Sequence, residues 1–551
     1  MTIAPKPHWS EISASKIAAR DALIPEAWRI PETSALHVLD VPRTCGVLSP
    51  AELEITETPA EVLVQKMSKG ELKSYDVTLA FCKRAAIAQQ LTNCLTEIFF
   101  DAALSTAKSI DETFASTSQP IGPLHGLPIS LKDNFYVEGV DTTVGFVGWS
   151  NDPASGKMES EMTKIMRETG AVLFCKTNVP TAMMMPETYN NTWGYTTNPH
   201  NRNLTSGGSS GGEGSLLALM GSPLGVGTDI GGSIRIPAAL CGLFSLKPSF
   251  GRFATYGARS GLPGQEAVRS INGPMSTSLS AVELWAKAVV GSEPWTRDPN
   301  MLPIPWREVT LPEQLCFGLL MDDGVVKPTP PVTRALLEVK AALEAAGHKV
   351  IEWTTPEALK SQEIIEAFFV GDGGVKINSF MSLSGEDVDY PLQLQKYKAR
   401  HDIIKSTPPL VGDLWTTQSE RVAYNKRELD RWMNSREVTG TGRPIDGLIA
   451  PTTPYSSTPK YSFKYYHYTS PYNISDQSVA TFPVTMADPS VDVKPAYDPR
   501  GPLEKEVWEI YDAEHVAGAP VSLQMIGQRL EEEKVLKLVG VAVDALAKSK
   551  A

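Results

Sequence analysis

The sequence predicts an α/β fold built on a largely buried sheet, on three observations. Short apolar runs end in polar residues, as where Leu127-Pro128-Ile129-Ser130-Leu131 meets Lys132-Asp133. Helical segments lie between such runs: Glu161 to Thr169 reads as a helix closed by Gly170, and Ala171 to Cys175 continues as a strand. The same alternation returns after residue 316. Such a pattern lays helices against a sheet whose strands are buried, and ligands then gather where the strands end.

Taken in order, residues 1–57 read as a helical N-terminal arm. Ser10 to Leu23 carries apolar groups at helical spacing, and Pro25, Pro31 and Pro42 interrupt the chain beyond it. A single domain is expected over 58–548. It opens on Thr58-Pro59-Ala60-Glu61, which reads as a capping box with proline at the first helical position. That helix turns Val62, Leu63 and Met67 inward and stops at Gly70. Helices are expected at 74–90, 102–115 and from Glu213 to Met220, with a strand from Pro223 to Val226. Later come a strand at Cys316 to Leu320, a helix at Pro331 to Ala346 and a strand at Val350 to Trp353. Gly447 to Ala450 and Val521 to Ile526 read as late buried strands. The stretch 453–507, rich in Tyr, Pro and Ser, is expected to wind over the surface.

Composition narrows the function classes. With 551 residues, 42% of them hydrophobic and 21% charged, the chain has the profile of a globular protein with a sizeable core. A formal charge of −12 argues against nucleic-acid binding, which needs a basic face. The six cysteines form no C-x-x-C pair and read as small core residues of a reducing compartment. Neither a secretory leader nor an apolar run of ~18 residues is present, so no membrane contact is expected and the cytoplasm is the expected location.

Two segments carry candidate chemistry. In Ser206-Gly207-Gly208-Ser209-Ser210-Gly211-Gly212-Glu213-Gly214, paired glycines bracket two serines ahead of a helix. A phosphate loop would need Lys-Ser or Lys-Thr after the glycines, and a dinucleotide loop would need a preceding strand where Asn201-Arg202-Asn203 stands. Gly227-Thr228-Asp229-Ile230-Gly231-Gly232-Ser233-Ile234-Arg235 reads as strand, tight turn and helix, a corner that presents a hydroxyl beside unpaired N–H groups. Such donors stabilise an oxyanion, each by ~3 kcal/mol of barrier. Taken alone, either segment also fits an ordinary glycine-rich turn. None of the eight histidines sits in a hydrolase motif, and the Gly-x-Ser-x-Gly elbow is missing at Ser233. A lysine made neutral by burial is the alternative base, and Lys132, at the end of an apolar run, is the candidate.

Together, Lys132, the Ser209 segment and the Ser233 segment resemble the amidase signature family. The likeness extends to Gly122-Pro123-Leu124-His125-Gly126-Leu127-Pro128, to Lys176-Thr177-Asn178-Val179-Pro180, to Asn198-Pro199 and to Gly518-Ala519-Pro520-Val521-Ser522-Leu523-Gln524. Thr78 to Cys94 and Pro305-Trp306-Arg307 look like its fungal acetamidase branch. The resemblance implies a large mixed, mostly buried β-sheet covered by helices on both faces. It implies that Ser233 attacks an amide carbonyl and that Ser209, held by a non-proline cis peptide, passes its proton to Lys132. Backbone N–H groups of Ile230, Gly231, Gly232 and Ser233 would form the oxyanion hole. The main chain at Met183, with Ser210, would position substrate and relay, while Asp229 and Arg235 support the loop. No metal and no cofactor is implied. The expected partner is a small-molecule amide such as acetamide, and a homodimer is left open. Bulkier aryl or fatty amides are a second reading, with Met183, Met184, Met185, Tyr136 and Trp149 as pocket candidates. A partnered amidotransferase subunit and a non-enzymatic scaffold are the readings from other classes.

Overall fold

A computed structural model of the chain describes residues 8–386 and 408–550. Its centre is an eleven-stranded mixed sheet. In chain order the strands are β1 (Leu95–Ile98), β2 (Pro128–Lys132), β3 (Val172–Thr177), β4 (Gly225–Asp229), β5 (Phe244–Lys247), β6 (Ile271–Ser276), β7 (Cys316–Leu320), β8 (Lys349–Trp353), β9 (Gly447–Pro451), β10 (Val479–Met486) and β11 (Pro520–Ile526). They lie in the order β1-β3-β2-β4-β6-β5-β10-β11-β9-β7-β8. The pairs β2/β3, β2/β4, β7/β8 and β7/β9 are parallel and the others antiparallel. Every residue of β2, β3, β4, β6, β7, β9 and β11 is buried, which is why these strands read as continuous runs rather than alternating ones.

Helices cover the sheet. Ser74–Thr92 buries most of its length, including Phe81, Ala85 and Ile87, and Glu532–Lys550 buries Val535, Leu538, Val539 and Ala542. Ile24, Val38 and Leu48 from the first fifty residues belong to the same main core. Lys16 anchors the first helix, Trp9–Ala22, through ion pairs to Glu97 (2.7 Å) and Asp141 (3.1 Å). Among the described residues no helix is long and apolar enough to cross a membrane.

Two expectations are corrected. The capping box lies nine residues earlier than expected, at Ser49-Pro50-Ala51-Glu52, opening the helix Pro50–Glu57. Thr58 closes that helix instead, donating to the Glu54 carbonyl at 2.7 Å, while the Glu61 carboxylate takes the Ser278 hydroxyl at 2.9 and 3.0 Å. The stretch 453–507 winds over the surface only in part: residues 488–500 are irregular and mostly exposed, whereas the preceding part contains β10 and a buried aromatic core with Tyr455, Phe463, Tyr465 and Tyr468. Tyrosine is tolerated there because its hydroxyls are bonded inside, Tyr465 to Asp323 (2.6 Å) and Tyr468 to the Val326 carbonyl (2.7 Å).

Candidate active site

Three neighbouring ends of chain build the site. Lys132 is the last residue of β2 and is fully buried. Its Nζ lies 2.7 Å from Ser209 Oγ, 2.7 Å from Thr228 Oγ1 and 3.4 Å from the Thr228 carbonyl. All three partners are neutral, and no carboxylate stands within ion-pair distance among the described residues. Burial therefore pulls the amine from 10.5 down to about 7, against the opposing pull of Asp229 and Glu213.

The serine segment Ser206 to Ser210 comes after the short strand Asn201–Thr205 and runs into the helix Gly211–Ala218. The Gly208–Ser209 peptide is cis. Position 208 has to be glycine, because a Cβ there would stand 2.6 Å from the Met185 carbonyl oxygen and 2.7 Å from the Glu187 nitrogen. The Ser210 N–H donates to the Ser233 carbonyl at 3.1 Å, which ties the two serine segments together.

Ser233 sits on the turn between β4 and the short helix Arg235–Leu240. Asp229, at the end of β4, shapes that turn by accepting the N–H groups of Gly232 (2.8 Å) and Ile234 (3.2 Å). Burial pushes the Asp229 carboxyl up, but Arg235 at 3.0 Å and Asn473 at 2.8 Å outweigh it and hold the group well below the usual carboxylate range. Arg235 reaches on to the Thr469 carbonyl, Asn473 and Gln524, so distant chain segments fix the turn. Asp229 and Arg235, the residues expected to support the loop, thus bond to each other and to the turn or its neighbours.

The expected oxyanion donors divide. The Gly232 N–H is turned to Asp229 rather than to the cleft. The N–H groups of Ile230, Gly231 and Ser233 make no hydrogen bond among the described residues. These residues line a cleft of about 30 Å³ together with Met183, Phe369 and Tyr466. Ala182 and Met183 both adopt left-handed backbone (φ 60° and 59°), a conformation costing ~1–2 kcal/mol for each non-glycine residue. Hydrogen bonds to Val144 (3.1 Å) and Pro180 (2.8 Å) hold them there. Of the pocket candidates, the three methionines line the cleft. Tyr136 and Trp149 do not, and Trp149 packs on Phe146 and Phe380 under the Arg259 guanidinium.

Sequence reasoning missed several groups. Thr228 lies within the Ser233 motif, but only the structure shows its hydroxyl on Lys132. Glu213 lies in the glycine motif too; its buried carboxyl accepts Ser130 Oγ (2.6 Å) and Thr177 Oγ1 (3.0 Å), and burial pushes it up to about 8. Thr469, Asn473, Phe369 and Tyr466 carry no local signature. Among the described residues no cluster of three His, Cys, Asp or Glu is gathered as a metal site would require.

A buried lysine set on a glycine-cradled serine, beside a second serine on a strand-to-helix turn, places this molecule among the amide hydrolases. The amidase family model matches residues 76–536, and the chain belongs to the amidase family. It is 41% identical over 542 residues to an acetamidase of Emericella nidulans, covering 96% of this chain and 97% of that one. It is 38% identical over 546 residues to an acetamidase of Aspergillus oryzae, covering 97% and 98%. A solved fatty acid amide hydrolase superposes with a TM-score of 0.90 at 32% identity, covering 98% of this chain and 94% of that one. A bacterial aryl acylamidase shares the fold, with a TM-score of 0.70 at 19% identity over 89% of this chain and 96% of that one.

Proposed function

We propose that this amidase hydrolyses a small aliphatic amide such as acetamide to carboxylate and ammonia, through an acyl-enzyme on Ser233. The observation that carries the mechanism is the fully buried Lys132 amine, without a carboxylate partner among the described residues, 2.7 Å from Ser209 Oγ. A neutral amine takes a proton from Ser209, and Ser209 takes one from Ser233 as Ser233 Oγ bonds to the amide carbon. N–H groups of Ile230, Gly231 and Ser233 receive the negative oxygen. The C–N bond breaks as the relay runs backwards, the ammonium of Lys132 returning its proton through Ser209 to the leaving nitrogen. Water then attacks the ester carbon by the same route and releases the acid. A histidine is unnecessary in this scheme.

The narrow cleft supports the small substrate. A Cβ on Gly231 would meet the Phe369 ring at 3.1 Å, so that ring stands directly against the turn. Acyl-chain scanning tests the size assignment: kcat/KM should fall steadily beyond three or four carbons, and a rise with chain length defeats it. For the nucleophile, incubation with a fluorophosphonate should add one label to the intact chain. The label should vanish in Ser233→Ala; retention of the label there overturns the assignment.

A further inference from the structure

A second cavity, of about 530 Å³, shares no lining residue with the cleft. It is walled by the end of the first helix, the C-terminal turn of Ser74–Thr92, the strand Asn201–Thr205 and Lys460. Arg20, Arg29, Arg202 and Lys460 line it against a single carboxylate, Asp21. In a chain of net charge −12, that local excess of cations runs against the composition.

Among the described residues two of these cations, Arg20 and Arg29, have a carboxylate partner, while Arg202 and Lys460 have none. Arg202 spends its guanidinium on the carbonyls of Thr33 (2.5 Å), Ala35 (2.7 Å) and Leu91 (3.4 Å), neutral acceptors that orient it and leave its charge. Lys460 Nζ makes no ion pair and no hydrogen bond among the described residues, although its backbone is pinned by Asn203 at 3.1 Å. Arg20 is held by Asp21 (2.9 Å), Asn93 (3.0 Å) and the Leu95 carbonyl (2.8 Å), with its side chain only 4% exposed. Arg29 faces Glu26, but that carboxylate is 92% exposed and screened by water. Thr197 also lines the cavity, although its Oγ1 is turned into the protein. Guanidinium groups held by neighbouring carbonyls and a spare ammonium form a concave cationic set suited to oxyanions.

We propose that this cavity is a binding site for a small molecule bearing several oxyanion groups, phosphate or carboxylate. The two groups share the chemistry that these donors recognise, and the cavity has room for a molecule larger than a single ion.

Titration calorimetry on the full chain tests the site, with inorganic phosphate in one arm and citrate in the other. At low salt at least one probe should bind saturably, one per chain, with a Kd below about 1 mM, and binding should weaken as ionic strength rises. Lys460→Glu should weaken that affinity about tenfold or more, through reversal of the charge that has no partner. Arg29→Ala, a change at a half-exposed side chain, gives the same direction if the reversal disturbs folding. Binding of phosphate alone, or of citrate alone, identifies which oxyanion the natural ligand carries. Heats of dilution only in both arms, or an affinity that neither variant moves, overturn the proposal.

Discussion

Lys132 and Lys176 are neighbours on adjacent parallel strands, yet they have opposite surroundings. In the β2/β3 register Lys132 stands beside Thr177 and Leu131 beside Lys176, so the two lysines point to opposite faces of the sheet. Both are completely buried. Lys176 meets the Asp133 carboxylate at 2.7 Å and donates to the Asp141 carbonyl (2.7 Å) and Thr142 Oγ1 (2.8 Å). Asp133 in turn accepts the Thr143 hydroxyl (2.6 Å) and the N–H groups of Thr143 and Val144 (3.2 Å each). Lys132 receives only hydroxyls and a carbonyl. Equal burial thus leaves the two amines in different electrostatic surroundings. One face holds an ion pair that pins the 141–144 loop; the other withholds the counter-charge and leaves an amine close to neutrality at physiological pH.

That contrast can be broken at either end. Lys132→Ala should lower kcat/KM for amides by about 10²–10⁴-fold, with a smaller loss for esters, whose leaving group needs less proton delivery. Equal losses on both substrates would remove the relay from the account. Asp133→Asn strands the Lys176 charge and should cost about 3–5 kcal/mol of stability, read as a lowered Tm and denaturation midpoint with the Lys132 surroundings intact. A folded variant of unchanged Tm would mean that the pair carries no such weight. The pH dependence comes next. Lys132 gives up its proton at about 7 when folded, so kcat/KM should decline as pH falls through that value. In the unfolded chain the amine holds its proton up to about 10.5, so unfolding takes up a proton between the two values and stability rises with pH across that interval. Lys132→Met should abolish this slope, and a slope retained in that variant assigns it elsewhere. The smallest effect is expected from Thr228→Val, which removes one 2.7 Å contact and should cost about 1 kcal/mol in kcat/KM.

The divide between the legible and the hidden tracks the range of the interactions. Lys132, Ser209 and Ser233 lie in short strings, each ambiguous alone, whose combination carries the family resemblance and so marks them as candidates. The β-α alternation before residue 230 was equally plain, since buried parallel strands give unbroken apolar runs. Asn473 and Thr469 hold the Ser233 turn from more than 230 positions away, and nothing next to them in the chain says so. The partial misreading of 453–507 has the same root. A run of tyrosines looks amphipathic until Asp323 and the Val326 carbonyl, supplied by another part of the chain, satisfy the hydroxyls. The displaced capping box shows a different limit: Ser49 and Thr58 both precede proline with glutamate at the third position, and only packing against Ser278 decides between them.

The grip of Arg235 on Thr469, Asn473 and Gln524 also bears on synthesis. The first half of the chain contributes both serines and the lysine, while the remote acceptors of Arg235 come only with residues 469, 473 and 524. A product ending before residue 469 holds that turn only through nearer bonds, chiefly its local ones to Asp229. Truncation before residue 469 should therefore loosen the Ser233 turn without removing any of the three candidate side chains.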